Sequence, residues 1–324
     1  MKAVLCHNFG LPDSLVVQDI PSPVVGKGQV LVSTKACGVN FPDTLIIQNK
    51  YQFKPPMPFS PGGEVSGIVK EVGEGVRHLK VGDRVFSMTG WGGFAEEVLG
   101  DALKTLPMPE GMDFVTAATT MYTYGTSYHA LKDRAKLLAG ETLLVMGAAG
   151  GVGLAAVQLG VMMGAKVIAA ASTDEKLAVC KQLGASETIN YSTEDIKIRV
   201  KELTNGKGVD VVYDPIGDRY AEPAIRSLAW KGRYLVVGFA AGEIPSIPLN
   251  LALLKGASIM GVFWGQFAAL EPMNSMQNFQ EILQWIAQGK LKQHIYGEYS
   301  LDNAHQALQA IMERKVVGKV VITV

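Results

Sequence analysis

Residues 142–165, TLLVMGAAGGVGLAAVQLGVMMGA, limit the possible folds more than any other stretch. They contain no charged side chain and are long enough to cross a bilayer. Six glycines interrupt them, four of these within Gly147–Gly153. Glycine clusters of this kind belong to tight turns, which a lipid-exposed helix does not tolerate. The stretch therefore reads as a buried strand, a tight turn and a buried helix. No membrane association is expected.

That strand opens a series. LLVM (Leu143–Met146) precedes a helix from about Gly151, and KVIAAA (Lys166–Ala171) precedes one from about Thr173. ETINY (Glu187–Tyr191) and VDVVYD (Val209–Asp214) are followed by helices near Ser192 and Asp218. RYLVVGF (Arg233–Phe239) and SIMGVF (Ser258–Phe263) bring the count of strands to six. Repeated βα units call for a parallel sheet with helices on both faces. Six strands make two mononucleotide-binding halves, a Rossmann doubly wound sheet.

The first ~120 residues have a different texture. QVLVSTKA (Gln29–Ala36), EVSGIVKEVG (Glu64–Gly73) and DRVFSM (Asp83–Met88) are short β-branched runs between Gly and Pro clusters. They predict a small, curled antiparallel barrel. After Trp264 the pattern gives a polar loop, a helix over about Met276–Gln288, another over Asp302–Lys315, and a last strand, GKVVITV. The expected division is 1–121 for the β-rich domain and 122–265 for the dinucleotide-binding domain. Residues 266–324 are expected to return to the first domain.

Composition narrows the function. Thirty Lys and Arg balance thirty Asp and Glu, and a duplex binder would carry a basic excess. No nucleic-acid partner is expected. Three well-separated cysteines, Cys6, Cys37 and Cys180, form neither a disulfide framework nor a CxxC zinc knuckle. The first ten residues, MKAVLCHNFG, have too short an apolar run for a signal peptide. A cytoplasmic location is expected.

The turn VMGAAGGVGLAAVQ (Val145–Gln158) sits between the first strand and first helix of the βα series. Glycines there let the backbone approach a pyrophosphate, and the helix N-terminus stabilises its charge. Ala149, Gly150, Gly151 and Val152 are the candidate contacts. Counted in register with Gly150 and Gly153, the first fingerprint glycine is replaced by Ala148. NAD sites place an acidic residue about 20 positions on, at the end of the second strand. Ser172 stands there instead, followed by Lys176, with Tyr191 ending the next strand. A small hydroxyl, a cation and a phenol suit a 2'-phosphate, so NADPH is the expected cofactor. The alternative makes Lys176 a solvated helix lysine and Asp174 a cap, and the nearness of Asp174 keeps NAD open.

KACGVNFPDT (Lys35–Thr44) puts Cys37 six residues before Asp43, and PGGEVSG (Pro61–Gly67) adds Glu64. By residue type these could form a metal site, a metal-free pocket or ordinary turns. The order NFPD, PGGEVSG, TSYHAL, GAAGGVG, ASTDEK, INY and GKVV resembles the medium-chain dehydrogenase/reductase superfamily. Within it, the likeness is to the zinc-independent quinone oxidoreductases related to ζ-crystallin. The resemblance runs almost end to end. It implies a GroES-like β-barrel catalytic domain beside the Rossmann domain, with a homodimer formed through the edge strand ASIMGVFW (Ala257–Trp264).

Zinc-containing members bind their catalytic metal through a cysteine shortly before the aspartate and a histidine before the glutamate. Asn40 and Gly63 stand at those positions here, and neutral amide and glycine are poor zinc ligands. No zinc and no flavin are expected. The resemblance puts Asn40 and Asp43 beside the nicotinamide and makes Tyr51 a substrate contact, able to hydrogen-bond a carbonyl. Packing alone is the other reading of Tyr51. The resemblance also assigns cofactor contacts to Thr126, Gly238, Phe239, Phe263, Trp264, Gly265 and Arg314. Arg314 is otherwise a dipole partner in the last turn of its helix.

The function implied is an NADPH-dependent, metal-free reductase of quinones or related electron-poor enones. A 2-alkenal or enoyl-thioester reductase is the alternative enzyme. A non-catalytic nucleotide-binding or RNA-associated protein is the alternative of another class.

Overall fold

The computed structural model describes residues 1–324 and divides them into two compact units, 1–122 with 293–324, and 123–292. Residues 266–292, expected to return to the first unit, belong to the second.

In the first unit, β1 (Lys2–Leu5) and β2 (Val16–Asp19) form a two-stranded ribbon. The main sheet contains β3 (Gln29–Val39), β4 (Glu64–Val72), β5 (Arg84–Met88), β6 (Glu97–Asp101) and β7 (Thr105–Pro107). The eleven-residue β3 is its spine. One side pairs β4, and the other pairs β6 through Gln29–Ser33. Val32, Cys37, Ile47, Val65 and Phe94 fill the core beneath it.

The second unit holds β8 (Thr142–Val145), β9 (Lys166–Ala171), β10 (Glu187–Asn190), β11 (Val209–Asp214), β12 (Leu228–Val236) and β13 (Ser258–Gly261). All pair in parallel, in the order β10-β9-β8-β11-β12-β13. This is the Rossmann doubly wound order, whose direction reverses between β8 and β11. Leu144, Met146, Ile168, Val212 and Ile225 are buried in the core on it. The polar loop expected after Trp264 is instead a helix, Trp264–Leu270, followed by a longer one, Pro272–Ala287. No helix is long and apolar enough to cross a membrane.

The chain then re-enters the first unit as β14 (Ile295–Ser300) and β15 (Lys319–Thr323). These two are parallel to each other, so the sheet is not wholly antiparallel as expected. β15 pairs the upper half of β3, Val320 opposite Val39. The helix between them runs Ala304–Met312, shorter than predicted. Arg314 therefore lies two residues past the helix with φ +58°, and is not in its last turn.

Candidate functional site

In the second unit, the turn after β8 is built by close approach. Gly147 has φ +56°, and a Cβ on it would lie 2.5 Å from Ile216. The left-handed glycine is thus one residue before Ala148, where the fingerprint register put the substitution. Gly153 lies in the first turn of the helix Gly151–Met162. A Cβ there would come within 2.3 Å of the Gly147 carbonyl. Any side chain would push the helix off the turn. Ala149 and Gly150 lead into that helix, and the N–H groups of its first turn have no intrahelical acceptor. The turn is held from below by Ser127, whose Oγ donates to the Val152 carbonyl (2.8 Å) and shares a hydrogen bond with the Tyr213 hydroxyl. Sequence reasoning passed over Ser127, although it sits inside TSYHAL beside the buried Thr126.

At the end of β9, Lys176 Nζ lies 3.2 Å from Ser172 Oγ, so the two residues assigned to a 2'-phosphate do meet. Thr173 caps the helix that carries Lys176, and Asp174 accepts from Asn190 Nδ2 at 2.8 Å. Ser192 Oγ donates to the Ser172 carbonyl, and the Tyr191 ring packs on Tyr220 at 4.7 Å. The loops after β11 and β12 are tied together: Ala240 N–H donates to Pro215 O and Ala241 N–H to Ile216 O. Gly238 and Phe239 belong to this pair of loops. Buried Asp214, not singled out from the sequence, anchors it by accepting from the Ile216 and Gly217 N–H groups and from Tyr234. Gly147, Ile216 and Phe239 thus cluster at the carboxyl ends of β8, β11 and β12, where ligands bind in such sheets.

Phe263, Trp264 and Gly265 follow β13 by two to four residues. The Trp264 indole packs where a Cβ on Gly125 would stand, 2.7 Å away. Phe263 is 48% exposed. Arg314 belongs to the first unit and is exposed.

The first unit contains a buried polar cluster. Asn40 precedes the short helix Phe41–Ile46, with Pro42 in its first turn. Asp43 reaches back to accept from the Asn40 N–H (2.7 Å) and takes the Gly62 N–H on its other oxygen (3.2 Å). Asn40 Nδ2 donates to Glu64 Oε2 at 3.0 Å and to Gly38 O. Its Oδ1 accepts from Lys319 Nζ at 2.7 Å. Lys319 also donates to Val39 O and sits 3.5 Å from Glu64, with only 3% and 1% of the two side chains exposed. Glu64 Oε1 accepts from the Tyr122 N–H. Burial pushes the Asp43 carboxyl up to about 6, partly offset by its hydrogen bonds and by Lys319. Burial raises Glu64 too, against the pull of Lys319.

Tyr51 is half-buried against the core, edge-on to Phe53. Its hydroxyl is hydrogen-bonded to that of Tyr122. Burial holds the Tyr51 phenol above its ordinary range. Cys37 is fully buried beside Gly62 and Phe94, and burial raises its thiol well above the usual value.

These residues do not fit a zinc ion. The Asn40 oxygen faces an ammonium, and a Cβ on Gly63 would meet the Gly90 carbonyl at 2.8 Å. No three His, Cys, Asp or Glu side chains converge into a metal-binding group.

Residues 26–110 match the alcohol dehydrogenase GroES-like domain, and residues 151–288 match the zinc-binding dehydrogenase family. The chain is 42% identical to the quinone oxidoreductase-like protein 2 homolog of Nematostella vectensis, over 99% of this chain and 88% of that protein. The chain belongs to the medium-chain dehydrogenase/reductase superfamily, among its quinone oxidoreductase-like members. Two solved structures bracket this medium-chain reductase. Escherichia coli quinone oxidoreductase complexed with NADPH matches at 28% identity, TM-score 0.93, and 100% of both chains. The CurK enoyl reductase matches at 26% identity, TM-score 0.89, and 99% and 98% of the two chains. Both halves of the medium-chain pattern are therefore present.

Proposed function

We propose that this medium-chain reductase is an NADPH-dependent, metal-free reductase of quinones or related electron-poor enones. The observation that carries the cofactor choice is the Lys176–Ser172 contact at the end of β9, where an acidic residue would mark NAD. The NADPH bound by the E. coli relative supports the same choice. A metal-free reaction is supported by the Lys319 ammonium against Asn40 and by the lack of room at Gly63.

When bound, reduced nicotinamide would supply the reducing equivalents. The chain's contribution is positional and electrostatic. The first-turn N–H groups from Gly151 and Val152, with Ala149 and Gly150, cradle the pyrophosphate. Ser172, Lys176 and Tyr191 hold the 2'-phosphate. Thr126, Gly238, Phe239, Phe263, Trp264, Gly265 and Arg314 are assigned to the rest of the cofactor. Asn40 and Asp43 shape the acceptor's surroundings. The Tyr51 hydroxyl hydrogen-bonds the acceptor's carbonyl oxygen and can give it a proton as negative charge builds there.

That last role favours a second reading, a 2-alkenal or enoyl-thioester reductase, because a quinone needs Tyr51 less than an enolate does. Following NADPH oxidation with a quinone, a 2-alkenal and an enoyl thioester separates the two. Inactivity on all three with NADPH demonstrably bound overturns both. Saturable RNA binding at physiological salt would then revive the non-catalytic alternative.

We further propose a cytoplasmic homodimer. Its support is the free edge of β13, where Ile259 is 41% exposed and Leu253, Leu254 and Phe263 are exposed nearby.

A further inference from the structure

The structure contains a phenol that the proposed chemistry has not used. Tyr122 is the second residue of the helix Met121–Tyr128, and its hydroxyl meets that of Tyr51 across 71 positions of sequence. Three ties fix where Tyr122 stands. Its N–H donates to Glu64 Oε1 at 2.9 Å. Glu64 is itself held by Asn40 Nδ2 at 3.0 Å and by the Lys319 ammonium at 3.5 Å. The residues just before it are pinned by Gln293, whose Nε2 donates to the Thr119 carbonyl at 2.7 Å.

We propose that Tyr122 is a positioning residue for Tyr51, donating its phenol proton to the Tyr51 oxygen, and that the buried Lys319–Asn40–Glu64 cluster is the anchor that holds it there. The inference rests on the reading of Tyr51 as the group facing the acceptor. A phenol has one hydrogen to give and lone pairs to receive. If Tyr122 fills a lone pair of Tyr51, the Tyr51 hydrogen is left for a ligand oxygen, and its rotation is restricted to that direction. A hydroxyl that accepts a hydrogen bond is also a better donor, because the two bonds polarise one another. Burial, then Tyr51 and the carboxylates of Asp43 and Glu64, hold the Tyr122 phenol well above its ordinary range, whereas burial and Asp43 raise Tyr51 against the hydrogen bond from Tyr122. Of the two, Tyr122 holds its proton more tightly. Burial of the anchor explains its charge pattern. A lone carboxylate at the Glu64 position would be costly, and a lysine from the last strand offsets it where no solvent can.

This assigns a purpose to GKVV, a segment of the family pattern to which no cofactor or substrate contact is assigned. Gly318, at φ +77°, lets the chain press against the His294 carbonyl, where a Cβ would come within 2.1 Å. The next residue, Lys319, is thereby turned into the cluster.

The test uses the full chain as wild type, Tyr51→Phe, Tyr122→Phe and the double variant. Phenylalanine at 122 keeps the ring and the N–H bond to Glu64, so the fold is retained. With ring-carbon-labelled tyrosine, the expected result is a shift of the Tyr51 Cζ signal in Tyr122→Phe. An unmoved Tyr51 signal overturns the pairing, whether or not the protein turns over any acceptor. In steady-state assays with a 2-alkenal, Tyr122→Phe should lower kcat roughly fivefold to tenfold, the worth of one hydrogen bond, with the KM for NADPH unchanged. The double variant should be no slower than Tyr51→Phe alone, because Tyr122 acts through Tyr51. Losses that multiply would show that Tyr122 acts independently and overturn the positioning role. A wild type inactive on every acceptor, but with the Tyr51 signal shifting as expected, defeats the reductase reading and leaves the pairing intact.

Discussion

Lys319 Nζ lies 2.7 Å from Asn40 Oδ1, although 279 positions separate the two residues in the chain. The contact fixes which way the Asn40 amide faces. Its oxygen meets the ammonium, and its nitrogen is left to donate to Glu64. In a zinc-type relative this position would carry a thiolate; here the surrounding charge is already satisfied by a side chain.

Removing the cation should therefore expose the cost of the buried carboxylate. Lys319→Met is expected to lower unfolding stability by roughly 3–5 kcal/mol, because Glu64 is left without its countercharge. Adding Glu64→Gln should restore a large part of the loss. Urea titrations of the single and double variants check this, and equal stability of wild type and Lys319→Met would contradict it.

The glycine turn makes a steric prediction. Gly153→Ala places a methyl within 2.3 Å of the Gly147 carbonyl, which is backbone and cannot rotate away. NADPH affinity should fall roughly tenfold or more as the helix N-terminus is pushed back. Cofactor fluorescence titration measures it, with circular dichroism confirming that the variant is folded.

Cofactor choice should depend on Lys176. Lys176→Ala is expected to raise the KM for NADPH about tenfold, from the loss of a charge-assisted bond, and to leave that for NADH nearly unchanged. Parallel changes with both cofactors would mean that the lysine does not read the 2'-phosphate.

Asp43 gives a pH signature. Its carboxyl is raised from 3.8 to about 6, so the folded protein binds this proton more tightly than the unfolded chain. The resulting stabilisation is complete below about pH 4 and is lost as pH rises through 6. Relative to Asp43→Asn, wild type should lose on the order of 3 kcal/mol between pH 4 and 7. Paired unfolding curves across that range give the difference, and a flat difference would show that Asp43 is not raised.

The β13 edge predicts a dimer. Sedimentation of wild type should give twice the 34.7 kDa chain mass, and Ile259→Lys should shift it towards monomer by placing a charge on the edge. A wild type that sediments as monomer removes the proposal.

The second unit was legible in the sequence because its information is local. Val, Ile and Leu runs such as VDVVYD alternate with helices, and β11 begins and ends as the pattern indicated. The Ser172–Lys176 contact was equally readable, Ser172 lying just before the cap of the helix that carries Lys176. The helix at Trp264–Leu270 was missed because nothing announces it: Phe263 precedes it and makes no side-chain cap bond. Arg314 was misplaced for a similar reason, since the helix closes at Met312 without a glycine stop. Asp43 was expected beside the nicotinamide; the structure places it in a buried polar cluster, where one backbone bond comes from Asn40 three residues before it and the other from Gly62, a partner that no spacing reveals. Lys319 and Tyr122 meet their partners only through the tertiary fold. The available hint was a single lysine in the otherwise apolar strand KVVIT.

The order in which a ribosome delivers these residues gives the last strand an unusual weight. Asn40, Asp43 and Glu64 emerge early, yet their cation follows Glu64 by 255 positions, on a strand that must insert between β14 and β3. Until then the amino-terminal unit lacks both a central strand and the charge that balances its interior carboxylates. A nascent chain cannot complete that unit first and the other second, as a simple two-domain protein would. The dinucleotide-binding unit, whose residues are contiguous, is free to finish before the unit that begins the chain. Loss of the strand that carries Lys319 would therefore unbalance the polar interior behind Tyr51.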